Sequence, residues 1–493
     1  MASPSGHHSV AANPTERVHK MTSNTDITAL TLAEISARIH AREVSSEEVT
    51  SALLERIDRL QPMINGYVLV HHQHAMAQAR AADALLGAGV DHGPLHGVPI
   101  AVKDLFAERG TPSSAGSSIL ADWVPDDDST AVHNLRRAGA IIIGRANMDE
   151  FAFGGTTENT HYGVTHNPWD QERSSGGSSG GSGAVVAARL AYAALGTDTA
   201  ASIRNPSHFN GVTGIKPSFG RVSRFGVVPL AWTLDHAGPL ARSVEDAALV
   251  LSAISGHDTK DETTSRLPVP DYAANLDADV SRIRAGIVRG YFWEPIVPEV
   301  AQLNEQAYDV LRGMGIQLED VVLDHTDVLP ALFATILPAE AAAYHHKWIQ
   351  EGRGGEYGYA ILDRLIPGYA IPAMDYVNAQ RARAVWEESV RSALQRYDVL
   401  VMPTVPYTAA KLGQIMVQVG DGEEEASFLR TRNLFPFNLT GMPALSVPIG
   451  FDSSGLPAGM QIVTKAWDEQ TAFNVGHAYQ QTTDWHARAP DLG

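Results

Sequence analysis

Ten consecutive residues, Ser174 to Gly183, are all serine or glycine, and they run directly into Ala184-Val185-Val186-Ala187-Ala188-Arg189-Leu190-Ala191-Tyr192-Ala193-Ala194-Leu195. By composition alone such a run is a flexible linker. A linker, however, does not usually open onto a core segment with no polar margin. The junction instead predicts a glycine-rich loop that opens a buried helix. Tight turns and close backbone approach there need glycine, and the first N–H groups are left free to donate. A second stretch of small residues follows, Gly196-Thr197-Asp198-Thr199-Ala200-Ala201-Ser202-Ile203-Arg204-Asn205-Pro206.

Free N–H groups at a helix start suit phosphate, but neither phosphate pattern is present. The P-loop ends in Gly-Lys-Ser/Thr, whereas Gly181 precedes Ser182 and the run holds no lysine. Gly177-Ser178-Ser179-Gly180 does not supply the dinucleotide fingerprint either. Nucleophilic chemistry remains, in which a serine needs a base within reach and N–H donors for an oxyanion. The chain has no cysteine, which removes a thiol nucleophile, a disulfide framework and a thiolate metal site. Of its 20 histidines, His208 and His236 lie in this part of the chain, yet neither sits in a recognisable Ser-His-Asp arrangement. Thr199, Ala200, Ile203 and Arg204 around Ser202 do not form a Gly-x-Ser-x-Gly frame. A Ser-Lys pair is the alternative. Its candidate base is Lys103, at the end of the apolar run Val98-Pro99-Ile100-Ala101-Val102, because burial disfavours the charged amine.

The rest of the chain gives these segments a frame. Residues 1–25 are rich in Ser, Asn, His, Thr and Pro, lack an apolar signal core, and are expected to be a disordered leader that includes His7 and His8. Helical spacing of Leu32, Ile35 and Ile39, then of Val49, Leu53, Ile57 and Leu60, predicts two helices, the second capped near Ser45 and Ser46. A third is expected over about 72–86. Short apolar runs predict strands near 98–103, 140–144, 283–287, 399–402, 444–448 and 459–463, alternating with helices as in an α/β fold with a mostly parallel sheet. No run of 18 apolar residues occurs, and a net charge of −19 opposes nonspecific nucleic-acid binding, so neither a membrane nor a nucleic acid is expected as partner, and a cytoplasmic location is.

Together these blocks resemble the amidase signature family. The resemblance runs from about Ala29 to Gln480. It is carried by Gly93-Pro94-Leu95-His96-Gly97 through Lys103-Asp104, by Asn147-Met148-Asp149-Glu150-Phe151-Ala152, by the serine-glycine run through Pro206, by Gly211 to Pro217, and by Asn438-Leu439-Thr440-Gly441-Met442-Pro443-Ala444 with Gly455 to Gln461. It implies one α/β/α domain over 26–493, built on a twisted mixed sheet of about eleven strands. It also implies Lys103 as base, Ser178 after a cis Gly177–Ser178 peptide as proton relay, and Ser202 as nucleophile. Backbone N–H groups of Thr199, Ala200, Ala201 and Ser202 would form the oxyanion hole, with Gly177, Thr197 and Asp198 supporting. In the family's usual loop two glycines precede the nucleophile. Ala200 and Ala201 stand there in this chain, keep the N–H donors, and put substrate range in question.

The implied reaction is hydrolysis of an amide, carbamate or ester of a small, largely uncharged molecule through a serine acyl-enzyme, without metal or cofactor. The alternative is the glutamine-hydrolysing component of a tRNA-dependent amidotransferase. That component carries an arginine-rich block in its C-terminal half, whereas this chain reads Leu365-Ile366-Pro367-Gly368-Tyr369, which favours a free-standing enzyme, with a homodimer as the assembly allowed. Asp198 is expected to fix its loop and Arg204 to form a structural ion pair. His71, His72 and His74 are not expected to bind metal, and Asp126–Asp128 and Glu423–Glu425 are read as solvated loops. The substrate pocket is expected from loops around 120–175, 310–380 and 405–435, made apolar by Pro367, Ile371, Met374, Leu434, Phe435 and Phe437.

Overall fold

The computed structural model describes residues 26–493, so the expected leader with His7 and His8 lies outside the described residues. The chain opens with helices Leu32–His40, Ser46–Ile64 and His72–Gly87. Ser45 caps the second. Its hydroxyl accepts from Glu48 N while the Glu48 carboxylate accepts from Ser45 N, so two otherwise orphaned N–H groups are satisfied reciprocally.

The strands of the main sheet, in chain order, are β1 (Tyr67–Val70), β2 (Pro99–Lys103), β3 (Ile141–Ala146), β4 (Ala193–Asp198), β5 (Thr213–Lys216), β6 (His236–Ala241), β7 (Arg284–Val288), β8 (Gln317–Val321), β9 (Val399–Pro403), β10 (Ala444–Phe451) and β11 (Pro457–Thr464). These eleven strands pair in the order β1-β3-β2-β4-β6-β5-β10-β11-β9-β7-β8. β3, β2 and β4 run parallel, as do β9, β7 and β8, while the middle of the sheet is antiparallel. The sheet is therefore mixed, as the resemblance implies, and not mostly parallel as the alternation of strands and helices suggests, because antiparallel pairs join its two parallel ends. Every residue of β2, β3, β4 and β6 is buried, so helices cover both faces there and the strands read as continuous apolar runs rather than alternating ones.

One expectation fails at the segment that matters most. The apolar stretch 184–195 is not a single helix. The helix is Gly180–Ala187, the chain turns through Arg189 in the left-handed region (φ 60°), and Ala193 already begins β4. All eight residues of that helix are buried, so apolarity carries no period that separates helix from strand. The strands that periodicity misses are short or atypical. β6 contains Gly238 and Pro239, and β8 is a half-exposed edge of polar residues.

Two features of this frame place the site. β2 and β4 are parallel neighbours, so Lys103 and Asp198 end them on the same side, where ligands of such sheets bind. Above that side lies the long apolar helix Leu329–Gln350, which turns Leu329, Phe333 and Leu337 toward the same cavity.

Candidate active site

Only one serine of the serine-glycine run faces the lysine. Ser174 and Ser175 donate to the backbone of Thr156 and Thr165. Ser179 and Ser182 donate to Thr197 O and Leu195 O, which stitches the start of the Gly180–Ala187 helix to β4. Ser178 is left, behind a cis Gly177–Ser178 peptide, and its Oγ accepts from Lys103 Nζ at 2.7 Å. Thr197 Oγ1, on β4, is the second partner of the amine at 2.9 Å. Lys103 has no exposed surface. Burial pushes its amine down to about 7, against the pull of Asp149, Asp198 and Asp235, which favour the charged form. A lysine so placed is a base near neutral pH, with Ser178 as the hydroxyl it can address.

Ser202 lies just beyond β4 and lines a cavity of about 510 Å³. No hydrogen bond joins Ser178 to Ser202 among the described residues, so the structure brings Lys103 and Ser178 together and leaves the second contact open. Such contacts often tighten only with substrate in place. The N–H groups of Thr199, Ala200, Ala201 and Ser202 find no acceptor among the described residues, whereas those of Ile203 and Arg204 both go to Asp198 Oδ2. Buried N–H groups are rarely left unpaired, and a row of four beside a serine is where a developing oxyanion would be held.

The loop is held from below. Asp198 is fully enclosed with Arg204, in an ion pair of 2.9 Å that Asn438 also joins. Arg204 extends to Gln461 Oε1, Asn438 Oδ1 and Leu434 O. This is the structural pair expected, and Arg204 does not reach the cavity. Thr199 Oγ1 donates to Asp235 at 2.6 Å. Ala200 and Ala201 both avoid the left-handed region, and their methyls part company. Ala200 lines the cavity, while Ala201 packs with Phe209, Tyr407 and Leu429 in a separate core cluster.

The histidines lie apart from this chemistry. His208 is held by Tyr407 O and Gly459 N, and burial lowers it to about 4. His236 contacts Leu234 O. His71 pairs with Glu108 and His72 with Asp58.

The cavity walls come from the segments expected, through residues 152–155, 329–338, 363–367 and 425–436, with Leu230 and Tyr291 added. Pro367 and Phe435 line it as anticipated. Leu434 and Phe437 are in the core, and Met374 is 75% exposed. What the sequence reading missed is cationic. Arg364, Arg430 and Arg432 all line the cavity, and none is in ion-pair contact with a carboxylate among the described residues. Arg432 is 5% exposed, and its Nε and Nη1 have no partner. No local signal marks these arginines: Arg430 and Arg432 sit in Ala426-Ser427-Phe428-Leu429-Arg430-Thr431-Arg432, and Arg364 follows Asp363, as on any solvated helix face.

The chain is similar to known proteins over most of its length. The family described as Amidase matches residues 48–473. The glutamyl-tRNA(Gln) amidotransferase A chain of Moorella thermoacetica is 39% identical over 486 residues, covering 94% of this chain and 99% of that protein. Among solved structures, the peptide amidase of Stenotrophomonas maltophilia superposes with a TM-score of 0.81 at 31% identity, over 93% of this chain and 98% of that one. A member of a vestigial complex, described with the origins of an s-triazine catabolic enzyme, gives a TM-score of 0.88 at 33% identity, over 92% and 98%. The amidotransferase relative overturns the expectation that no nucleic acid concerns a chain of this kind, because it is named as one component of an enzyme of a tRNA. Net charge describes a surface as a whole, and one component need not itself hold the nucleic acid its complex works on.

Proposed function

The chain belongs to the amidase family, a family of C–N hydrolases, and on that premise we propose that it cleaves a carboxylic amide through an acyl-enzyme on Ser202. Neutral Lys103 takes the proton of Ser178 as Ser178 takes that of Ser202. Ser202 attacks the carbonyl, the N–H groups of residues 199–202 hold the oxyanion, and the relay returns the proton to the leaving amine. Water, activated by the same relay, then releases the acid. The observation that carries this reading is the fully buried Lys103 amine, whose hydrogen-bond partners are Ser178 and Thr197. Ser202→Ala tests it. Amide hydrolysis should fall by about a thousandfold or more, with the melting temperature unchanged. Turnover close to that of the parent would remove Ser202 from the mechanism.

The cavity supports a substrate with two ends. Phe333, Leu337, Pro338 and Phe435 offer an apolar wall, and Arg364, Arg430 and Arg432 a cationic one. Asp363 and Glu425 line the same cavity, so three guanidinium groups stand with two carboxylates, and this balance favours an amide that also carries an anionic group over the largely uncharged substrate of the sequence reading.

A second reading, the glutamine-hydrolysing component of an amidotransferase, has a specific observation in its favour. The curated relatives at 39–40% identity carry that name over 98–99% of their length, and this weighs more than the missing arginine-rich block. Glutamine is itself an amide with a carboxylate, which suits the guanidinium wall. Assaying the purified chain alone against glutamine, anilides, aliphatic amides, carbamates and esters separates the readings. Turnover of amides other than glutamine without partners supports the free-standing amidase. Glutamine hydrolysis that needs the other amidotransferase components supports the second reading.

A further inference from the structure

Asp149 follows directly on β3, whose last residue, Ala146, pairs with Lys103 of β2. Its side chain is buried between two glycines. A β-carbon on Gly177 would stand 2.1 Å from Asp149 Oδ2, and one on Gly154 would stand 2.3 Å from Oδ1. Neither glycine has a positive φ, so both are there for room and not for conformational freedom. The slot between them fits a carboxylate and little else. Within it Oδ2 accepts from Thr156 N at 3.2 Å and Thr157 N at 3.1 Å, and the backbone N–H of Asp149 donates to Ser178 O at 3.2 Å. The loop so tied holds Phe151, Ala152 and Thr157 at φ 49°, 58° and 55°, a left-handed conformation that residues with side chains keep only where the surroundings over-determine it.

An asparagine could accept the same two N–H groups without the cost of burying a charge, so the charge itself needs a reason. No cation is in ion-pair contact with Asp149 among the described residues. Arg364 and Arg430 act on it only from farther away, and burial pushes its carboxyl up. The charge does act on Lys103. Three carboxylates favour the charged lysine, with Asp149 ahead of Asp198 and Asp235. Asp198 is committed to Arg204, and Asp235 to Thr199 Oγ1 and the N–H groups of Leu230 and Ala231.

We propose that Asp149 is a positioning residue of the proton relay: its backbone and the Gly154–Gly177 slot fix Ser178, and its carboxylate supplies the negative charge that keeps Lys103 basic enough to accept the proton. The proposal rests on the Lys103–Ser178–Ser202 reading. It is tested by the pH profile of kcat/KM for the parent, Asp149→Asn and Asp149→Glu on one amide substrate. Asparagine keeps the shape and removes the charge, so the acid limb should move to lower pH, by on the order of one unit for the loss of an opposite charge. Glutamate should return the limb toward its original place, even at a reduced rate. Should Asp149→Asn fail to fold, Asp149→Ser, which keeps an acceptor oxygen, reads the same limb. An acid limb that stays in place while the rate falls evenly at all pH values overturns the proposal and leaves Asp149 a purely structural residue. Lys103→Ala and Ser202→Ala in the same assay keep the two questions apart. If both are inactive and the limb is unmoved, the Asp149 proposal alone fails; if either retains activity, the relay itself fails.

Discussion

A lysine with no water around it keeps its proton only if neighbouring charges outweigh its burial. Around Lys103 three carboxylates do not, and the amine comes down to about 7. The sign of the pH effect follows. The relay needs neutral Lys103, so activity is low below that value, rises through it, and levels off above it. A pH–rate profile of the free enzyme should therefore show an acid limb near pH 7, and Lys103→Ala should lose orders of magnitude in rate across the whole range. A flat profile between pH 5 and 9 would contradict the assignment. At this scale a lysine ending an apolar strand is legible in the sequence as a candidate base on local grounds. The sequence did not name the arginines of the cavity, because nothing local distinguishes Arg364 or Arg432 from an arginine on a solvated helix face.

The loop from β4 to Arg204 is the element on which catalysis is expected to turn, and its two alanines are not equivalent. The Ala200 methyl faces the cavity and the Ala201 methyl faces a core cluster. Ala200→Gly should thus raise turnover of bulky acyl groups relative to small ones, and it too should cost some stability, because Ala200 is buried and glycine makes the unfolded chain more flexible. Ala201→Gly should cost about 1 kcal/mol in denaturant unfolding, through one lost buried methyl and a more flexible unfolded chain, without shifting that preference. A competition assay with a small and a bulky anilide, paired with urea titration, separates the two outcomes. An equal change of selectivity in both variants would contradict the placement of their methyls.

Across the whole molecule, the Asp198–Arg204 pair fastens the loop to distant parts of the chain through Asn438, Gln461 and Leu434 O. Burial pushes the Asp198 carboxyl up, but the Arg204 guanidinium, with hydrogen bonds from Arg204, Asn438 and Ile203 N, outweighs it and holds the group far below the usual carboxylate range. A carboxyl depressed on folding contributes stability that is present above its unfolded value and is lost as pH falls toward its folded one. Arg204→Ala leaves Asp198 buried without its cation and should cost about 3–5 kcal/mol at pH 7. The cost should shrink as the pH is lowered below about 4, where the unfolded carboxyl is protonated. Thermal melts of parent and variant at pH 7 and at about pH 3 measure this, and a difference in melting temperature that does not change with pH would overturn it.

The sequence by itself determined what is local. Helix starts such as Ser45, the apolar strands ending in Lys103 and leading to Asn147, and the order of small-residue blocks are properties of short segments, and they were enough to place the family, through its resemblance the mixed sheet, and the candidate serines and lysine. The tertiary structure decided the rest. A segment buried on every side carries no period, so only its neighbours made Ala193–Asp198 a strand between β2 and β6. Among the serines of the glycine-rich run, pairing with β4 and with the loops at Thr156 and Thr165 occupied four and left Ser178 to the lysine. The charge state of Lys103, the unpaired N–H row before Ser202 and the cationic wall of the cavity depend on burial and on charges brought together from residues hundreds of positions apart. Desolvation and Coulomb interactions act through space, and only the folded chain sets those distances.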